Sequence, residues 1–198
     1  NKKYKNLNFL FSVPDNFTLF NSPQRVIAYG PENASISFDM GPQNYGGSMR
    51  DYIRQTWARN ARLEGLEAIK VNGLEGAAAS TKGRVNGRSM DIQLVAIRGE
   101  KGHTFRLTFF SEPAETKALN ESYRRTTYSF RHMSPAELEN LKPLRIRLHK
   151  VKKGDTIDSI SRTMAVSKFA VDRFKLLNGV SQDSDLVIGK KVKIISLN

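Results

Sequence analysis

The stretch from residue 66 to residue 110 reads as four strands in succession, and this constrains the fold of the 198-residue chain more than any other feature. Runs rich in β-branched, aromatic and small apolar residues alternate there with glycine-containing turns. The runs are Leu66–Val71, Leu74–Thr81, Ser89–Arg98 and Thr104–Phe110, and the turns include Asn72-Gly73 and Asn86-Gly87. Asn-Gly supplies the positive φ angles that a tight hairpin requires. The pattern predicts an antiparallel sheet.

Helices are predicted on both sides of these strands. Ser48 is suited to cap a helix, and Asp51 favours the positive end of its dipole. Trp57 falls on the apolar stripe of that helix, which predicts core packing. A second helix is predicted over about Ala114–Phe130, with Leu119, Tyr123, Thr126 and Phe130 on the sheet. Shorter strands are predicted at Asn8–Val13, Phe17–Phe20, Arg25–Tyr29 and Ala34–Met40. Strands interrupted by one helix and closed by another predict an α+β sandwich.

A short helix marks the boundary between two predicted domains. Ser134-Pro135-Ala136-Glu137 combines a cap, a proline at the first helical position and a glutamate at the third. We therefore expect a first domain over residues 1–132, a helical linker over 133–143 and a small domain over 144–198.

Residue types that carry chemistry are scarce. The chain has no cysteine, which excludes disulfides, thiolate nucleophiles and cysteine zinc sites. Its three histidines, His103, His132 and His149, form no HExxH or HxH motif, and neither a nucleophile elbow nor a P-loop is present. We therefore expect this chain to be no enzyme, and to hold neither a metal nor a cofactor of its own. No apolar run approaches the roughly 18 residues of a membrane helix.

Positive charge is concentrated at the C-terminal end. The net charge is +13, and residues 141–198 hold 13 Lys and Arg against five Asp and Glu. Such an excess indicates either a solvated basic face or an anionic partner. A basic patch is predicted on two strands and their turns: Lys150, Lys152, Lys153, Lys190, Lys191 and Lys193. A nucleic-acid-binding module is the alternative function, although no aromatic residues are interleaved with these lysines.

The C-terminal segment resembles a LysM domain in three places. Leu148–Ile160, with Val151-Lys152-Lys153-Gly154-Asp155-Thr156 at its centre, resembles the opening strand, turn and helix start of that family. Asn178-Gly179 resembles the end of its second helix, which we expect over Ser167–Leu177 with Phe169, Ala170, Phe174 and Leu177 inward. Leu186–Ile195 resembles its closing strand. The resemblance implies a βααβ fold, in which Asp155 or Thr156 caps the first helix and Ile157 and Ile160 begin its buried face.

LysM domains hold glycans that contain N-acetylglucosamine in a shallow groove between the first turn and the last loop. Carried over by motif, the glycan-binding residues are Gly154, Asp155, Thr156, Ile157, Asn178, Val187, Ile188 and Gly189. The alternative for the same residues is turn formation and helix capping alone. This chain departs from the family at Ile188, where proline is usual, and at Lys190, where glutamine is usual. The stretch Ala165–Asn178 is also about three residues longer than usual.

The first domain resembles the region that follows the catalytic domain in certain bacterial envelope zinc metallopeptidases related to the CAAX prenyl protease. The resemblance lies in Phe9–Pro23, in Tyr128-Ser129-Phe130-Arg131, in Ser134–Glu137 and in Leu141–Arg147. Those proteins place an HExxH domain first, then a PsbP-like αβ sandwich, then a LysM-like tail.

The resemblance implies a non-catalytic docking region of a periplasmic or envelope-associated metallopeptidase. Zinc is expected only in the upstream peptidase domain, which would also be a partner of this chain. The other implied partner is peptidoglycan or another anionic component of the envelope. The chain begins with Asn rather than Met, which suits a mature or excised form.

Overall fold

The computed structural model describes residues 2–4, 8–22, 24–166 and 168–197. Pro23 and Ser167, which belong to predicted segments, lie outside these ranges. The chain divides into two compact units, Asn1–Ser134 and Pro135–Asn198, which we call unit 1 and unit 2.

Unit 1 is built on a seven-stranded antiparallel sheet. Its strands, in spatial order, are β3 (Thr18–Asn21), β4 (Arg25–Tyr29), β5 (Ser35–Met40), β9 (Thr104–Ser111), β8 (Arg88–Arg98), β7 (Leu74–Val85) and β6 (Glu64–Val71). A second sheet of three short strands has the order β1 (Lys2–Tyr4), β2 (Phe9–Phe11) and β10 (Arg131–His132). The predicted α+β class is confirmed.

The hairpin turns form as their dipeptides require. Asn72 and Gly73 have φ of 47° and 85°, and Asn86 and Gly87 have φ of 50° and 80°. Two consecutive positive φ angles are the geometry of the type I′ turn, which matches the twist of the strands it joins. The Asn72 amide also donates to the carbonyls of Tyr128 and Phe130, at 2.8 and 2.9 Å.

Helices cover both faces of the large sheet. On one face, α2 (Thr116–Tyr128) packs Tyr123 against a buried cluster that includes Phe105, Leu107 and Phe109 of β9. Alternate residues of β9 are buried, as its sequence predicts. Phe9 and Phe11 of β2 belong to the same cluster.

The opposite face is covered by α1 (Met49–Asp51) and the π-helix that continues it, Tyr52–Trp57. The Ser48 hydroxyl accepts a hydrogen bond from the backbone N–H of Asp51 at 3.1 Å, so the predicted cap is confirmed. Trp57 is only partly buried, and it packs against the second cluster with the Arg106 guanidinium 5.3 Å from its ring centroid.

Unit 2 has the order βααβ. After the short helix α3 (Pro135–Glu139) come β11 (Leu144–Lys150), α4 (Ile157–Arg162), α5 (Ala170–Asn178), a 3₁₀ turn (Asp183–Asp185) and β12 (Lys191–Leu197). β11 and β12 form an antiparallel two-stranded sheet, which we call the ribbon. The buried core of unit 2 consists of Val151, Ile157, Ile160, Met164, Phe174 and Val192.

One inward residue of the second helix was predicted wrongly. Phe169 is 68% exposed, whereas Phe174 is fully buried. Phe169 takes a left-handed backbone conformation, with φ of 56°, immediately before α5 begins at Ala170. It therefore lies outside the helical repeat that brings Ala170 and Phe174 to the core.

Candidate functional site

The first turn of unit 2 is organised around the Asp155 carboxylate. Its Oδ2 atom accepts hydrogen bonds from His149 Nε2 and from the backbone N–H of Lys152, both at 2.8 Å. Gly154 has φ of 91°, a conformation that a residue with a Cβ adopts only with strain. The carboxylate thus ties the end of β11 to the turn, and glycine allows the chain to reverse direction there.

The next two residues begin α4. The Thr156 hydroxyl accepts from the backbone N–H of Ser159 at 3.0 Å, and the Ser159 hydroxyl accepts from the Thr156 N–H at 2.9 Å, which completes a capping box. Thr156, one of the two predicted caps, is therefore the cap. The Ile157 side chain is buried in the core, and its N–H donates to Asp183 Oδ1 at 2.7 Å.

The last loop is held beside the first turn by backbone hydrogen bonds. The Gly189 N–H donates to the Val151 carbonyl at 2.8 Å, and the Val151 N–H donates to the Lys190 carbonyl at 2.9 Å. Within the loop, the Lys190 N–H donates to the Val187 carbonyl at 3.0 Å, and Gly189 takes φ of 86°. Six of the eight predicted glycan-binding residues therefore belong to the first turn and the last loop, which meet at Val151. A seventh, Ile157, is bonded to the 3₁₀ turn through Asp183.

Two aliphatic side chains of the last loop face solvent. Val187 is 49% exposed and Ile188 is 66% exposed. Large aliphatic residues on a tight exposed loop offer an apolar contact surface beside the first turn.

Asn178 lies at the end of α5 and is bonded to the ribbon. Its side-chain amide donates to the carbonyls of Phe174 and Lys193, at 3.0 and 2.9 Å, and its Oδ1 accepts from the Lys193 N–H at 2.6 Å. These bonds give Asn178 a structural task in joining helix to strand.

The predicted basic patch is gathered at one end of the ribbon. Lys150 lies directly opposite Lys191, and Lys193 lies opposite Leu148. The first turn carries Lys152 and Lys153, and the last loop carries Lys190. All six lysines are exposed.

Two further residues at this site were not predicted from the sequence, His149 and Asp183. His149 hydrogen-bonds to the Asp155 carboxylate, and Asp183 accepts a hydrogen bond from the Ile157 N–H. Asp183 lies 26 positions from Ile157, so local spacing gave no signal for the contact. The contact of His149 could have been predicted, because this histidine lies only six residues before Asp155.

The hydrogen bonds to Asp155 shift its titration. The hydrogen bond from His149, and after it the smaller effect of the bond from the Lys152 N–H, holds the pKa of the Asp155 carboxyl below its ordinary value of 3.8. A carboxyl with a lowered folded-state pKa stabilises the fold above its unfolded-state pKa, and this contribution is lost as the pH falls through the folded-state value.

We expect the Lys152 amide resonance to titrate with a midpoint below pH 3.8 in an NMR pH series on the full chain. Asp155→Asn should abolish that titration, because the group that responds to pH is gone. Asp185→Asn is the matched control, since Asp185 also has a lowered pKa but accepts from Ser181 and Gln182 instead. An unchanged Lys152 profile in Asp155→Asn would contradict the assignment.

Within the described ranges, no three His, Asp or Glu side chains are grouped so as to hold a metal ion. Over the same residues, no helix combines the length and the apolar character that crossing a bilayer requires. Unit 1 carries an open depression of about 420 Å³ between α2 and the outer strands, lined by residues of both charges such as Glu67 and Arg124.

The turn, the capped helix and the clamped loop all lie in one recognisable family segment. The family model described as "LysM domain" matches residues 149–194. This segment is a LysM domain. It includes all eight predicted glycan-binding residues and the whole core of unit 2.

The solved structures similar to this chain include three that each have a TM-score below 0.5. Cyanobacterial PsbP from Synechocystis sp. PCC 6803 has a TM-score of 0.47 and 11% identity, over 67% of this chain and 91% of that one. LpqN of Mycobacterium tuberculosis, described as involved in cell envelope biogenesis, has a TM-score of 0.43 and 14% identity, over 64% of this chain and 83% of that one. A Pseudomonas aeruginosa protein of unknown function has a TM-score of 0.44 and 16% identity, over 62% of this chain and 88% of that one. No curated protein matches the chain. Likeness at this level carries neither ligand nor activity over to this chain.

Proposed function

We propose that the LysM domain binds the N-acetylglucosamine-containing glycan of peptidoglycan in the groove between its first turn and its last loop. The observation that carries this proposal is the pair of backbone bonds that clamp Gly189 and Lys190 onto Val151, beside the turn at Gly154. They fix the spacing of the two groove walls before a ligand arrives, which lowers the entropic cost of binding.

The predicted residues divide into two roles in this proposal. Val187 and Ile188 are exposed, so they contact the ligand with their aliphatic side chains, while Gly154 and Gly189 keep the backbone open to it. The other four position the groove: Asp155, Thr156, Ile157 and Asn178.

We expect Val187→Ser combined with Ile188→Ser to lower retention on insoluble peptidoglycan by about thirtyfold, since two exposed aliphatic contacts of roughly 1 kcal/mol each would be lost. The measurement is a pull-down of the full chain at low and moderate salt. Leu176→Ser is the matched control, because Leu176 is an exposed aliphatic residue on α5, 87% accessible, that belongs to neither loop.

Equal retention of the double variant and the parent chain would refute the groove assignment. If neither chain is retained at moderate salt, glycan binding itself is wrong.

The second candidate function is nucleic-acid binding by the basic patch. It is favoured by the register that sets Lys150 against Lys191, with Lys152, Lys153 and Lys190 on the adjoining turns. Phosphate contacts release counterions, so this function requires affinity that falls steeply with salt. Retention on peptidoglycan that is insensitive to salt, together with weak DNA binding, would favour the glycan.

The wider role we propose is that of a non-catalytic docking region in a zinc metallopeptidase of the bacterial envelope or periplasm. Support comes from the LysM match and from the order of sequence motifs in unit 1 and unit 2. In this proposal zinc belongs to an HExxH peptidase domain encoded upstream, and unit 1 docks that domain. Reading the coding sequence upstream of Asn1 tests it: an HExxH motif supports the relationship, and a start codon without one overturns it.

A further inference from the structure

One face of the ribbon is apolar and exposed. Leu144, Ile146 and Leu148 alternate along β11, so their side chains lie on the same face. Leu197 lies directly opposite Leu144 and joins that face, and the four residues are 56–61% exposed. The opposite face carries Val192 of the core, and Ile195, which lies opposite Ile146, is partly buried against that core and is not counted in the exposed set. We call the four exposed residues the aliphatic face.

The same face ends in lysines. Strand alternation and register place Lys150, Lys191 and Lys193 on it, since Lys150 pairs with Lys191 and Lys193 pairs with Leu148. All three are exposed. The aliphatic face is thus continuous with three cationic groups over the length of one short ribbon.

The area of the aliphatic face is too small to support a stable dimer. Complete burial of a Leu or Ile side chain removes roughly 100 Å² of apolar surface from water. At 56–61% exposure, four such residues present on the order of 250 Å². Two copies face to face would bury about 500 Å², well below the roughly 1,200 Å² of the smallest stable interfaces.

We propose that this face binds the surface of an anionic lipid bilayer. A bilayer interface presents acyl chains and phosphates side by side, which complements an aliphatic strip that ends in lysines. Lysine stems also lie along apolar surface while their ammonium groups reach the phosphates. The inference is separate from the proposed glycan groove, because it uses the open face of the ribbon and none of the groove residues.

The test is flotation of the full chain with vesicles of phosphatidylcholine alone and with vesicles that contain an equal share of phosphatidylglycerol. We expect binding to the anionic vesicles only. Ile146→Ser with Leu148→Ser should reduce it at least tenfold, and Lys193→Gln about fivefold. Leu176→Ser and Arg145→Gln are the matched controls: Leu176 lies on α5, and Arg145 lies on the opposite face of β11.

Equal binding to both vesicle types, no binding at all, or equal losses in the controls would each overturn the proposal. So would a concentration-dependent dimer that the Ile146→Ser, Leu148→Ser chain no longer forms, since the face would then belong to a second copy. A Val187→Ser, Ile188→Ser chain should bind vesicles normally, so failure of the glycan groove and failure of the lipid face remain distinguishable.

Discussion

We expect Phe174→Ala to unfold unit 2 at room temperature while unit 1 stays folded. Phe174 is fully buried at the centre of the six-residue core of unit 2. Phe→Ala in a core costs about 3–5 kcal/mol, and the core of a unit below about 70 residues rarely supplies more than about 3–5 kcal/mol of net stability. The substitution therefore removes most of the stability that the unit has.

The two units can be followed separately in the full chain. Trp57 is the only tryptophan and lies in unit 1, so its fluorescence reports that unit. Methyl resonances of Val151 and Ile160 report unit 2. Leu176→Ala, two residues along the same helix and 87% exposed, should change neither signal. Native methyl resonances in Phe174→Ala at room temperature would show the prediction to be wrong.

The second large effect is expected at Phe9, in the aromatic core of unit 1. Its ring centroid lies 4.8 Å from that of Phe105, 5.0 Å from Phe38 and 5.2 Å from Phe130. Phe9→Ala should lower the free energy of unfolding of unit 1 by about 3–5 kcal/mol, because it leaves a cavity among three buried rings.

Urea titration followed by Trp57 fluorescence measures this loss. Phe20→Ala is the control, since Phe20 is 56% exposed and has an edge contact with Tyr29. That change should cost about 1 kcal/mol or less. Similar losses in the two variants would mean that β2 is not part of the core of unit 1.

Most of the strand pattern of unit 1 could be read from the sequence because the turn residues are local. Asn72-Gly73 and Asn86-Gly87 fix their hairpins through their own backbone preferences. In β9, apolar and polar residues alternate because the two faces of the strand differ in environment. The π-helix at Tyr52–Trp57 could not be predicted in this way. It depends on packing against strands far along the chain.

The candidate site was predictable to the extent that its contacts are local. The glycine turn at Gly154 and the cap at Thr156 follow from residues within three positions of each other. The bonds that join Ile157 to Asp183 and Asn178 to Lys193 span 26 and 15 positions. The LysM resemblance predicted Ile157 and Asn178 as ligand contacts. Their hydrogen bonds to distant parts of the chain are seen only in the three-dimensional structure.

The Asn178 carboxamide has a consequence for self-assembly. It donates to and accepts from the backbone of Lys193, and the Ala165 N–H donates to the carbonyl of Ile195. These bonds occupy the outer edge of β12 with non-strand partners. An edge strand with unpaired backbone groups is a template for pairing with another chain. At Lys193 and Ile195 these groups already bond within the unit, so a strand of a second chain cannot pair with β12 along these residues.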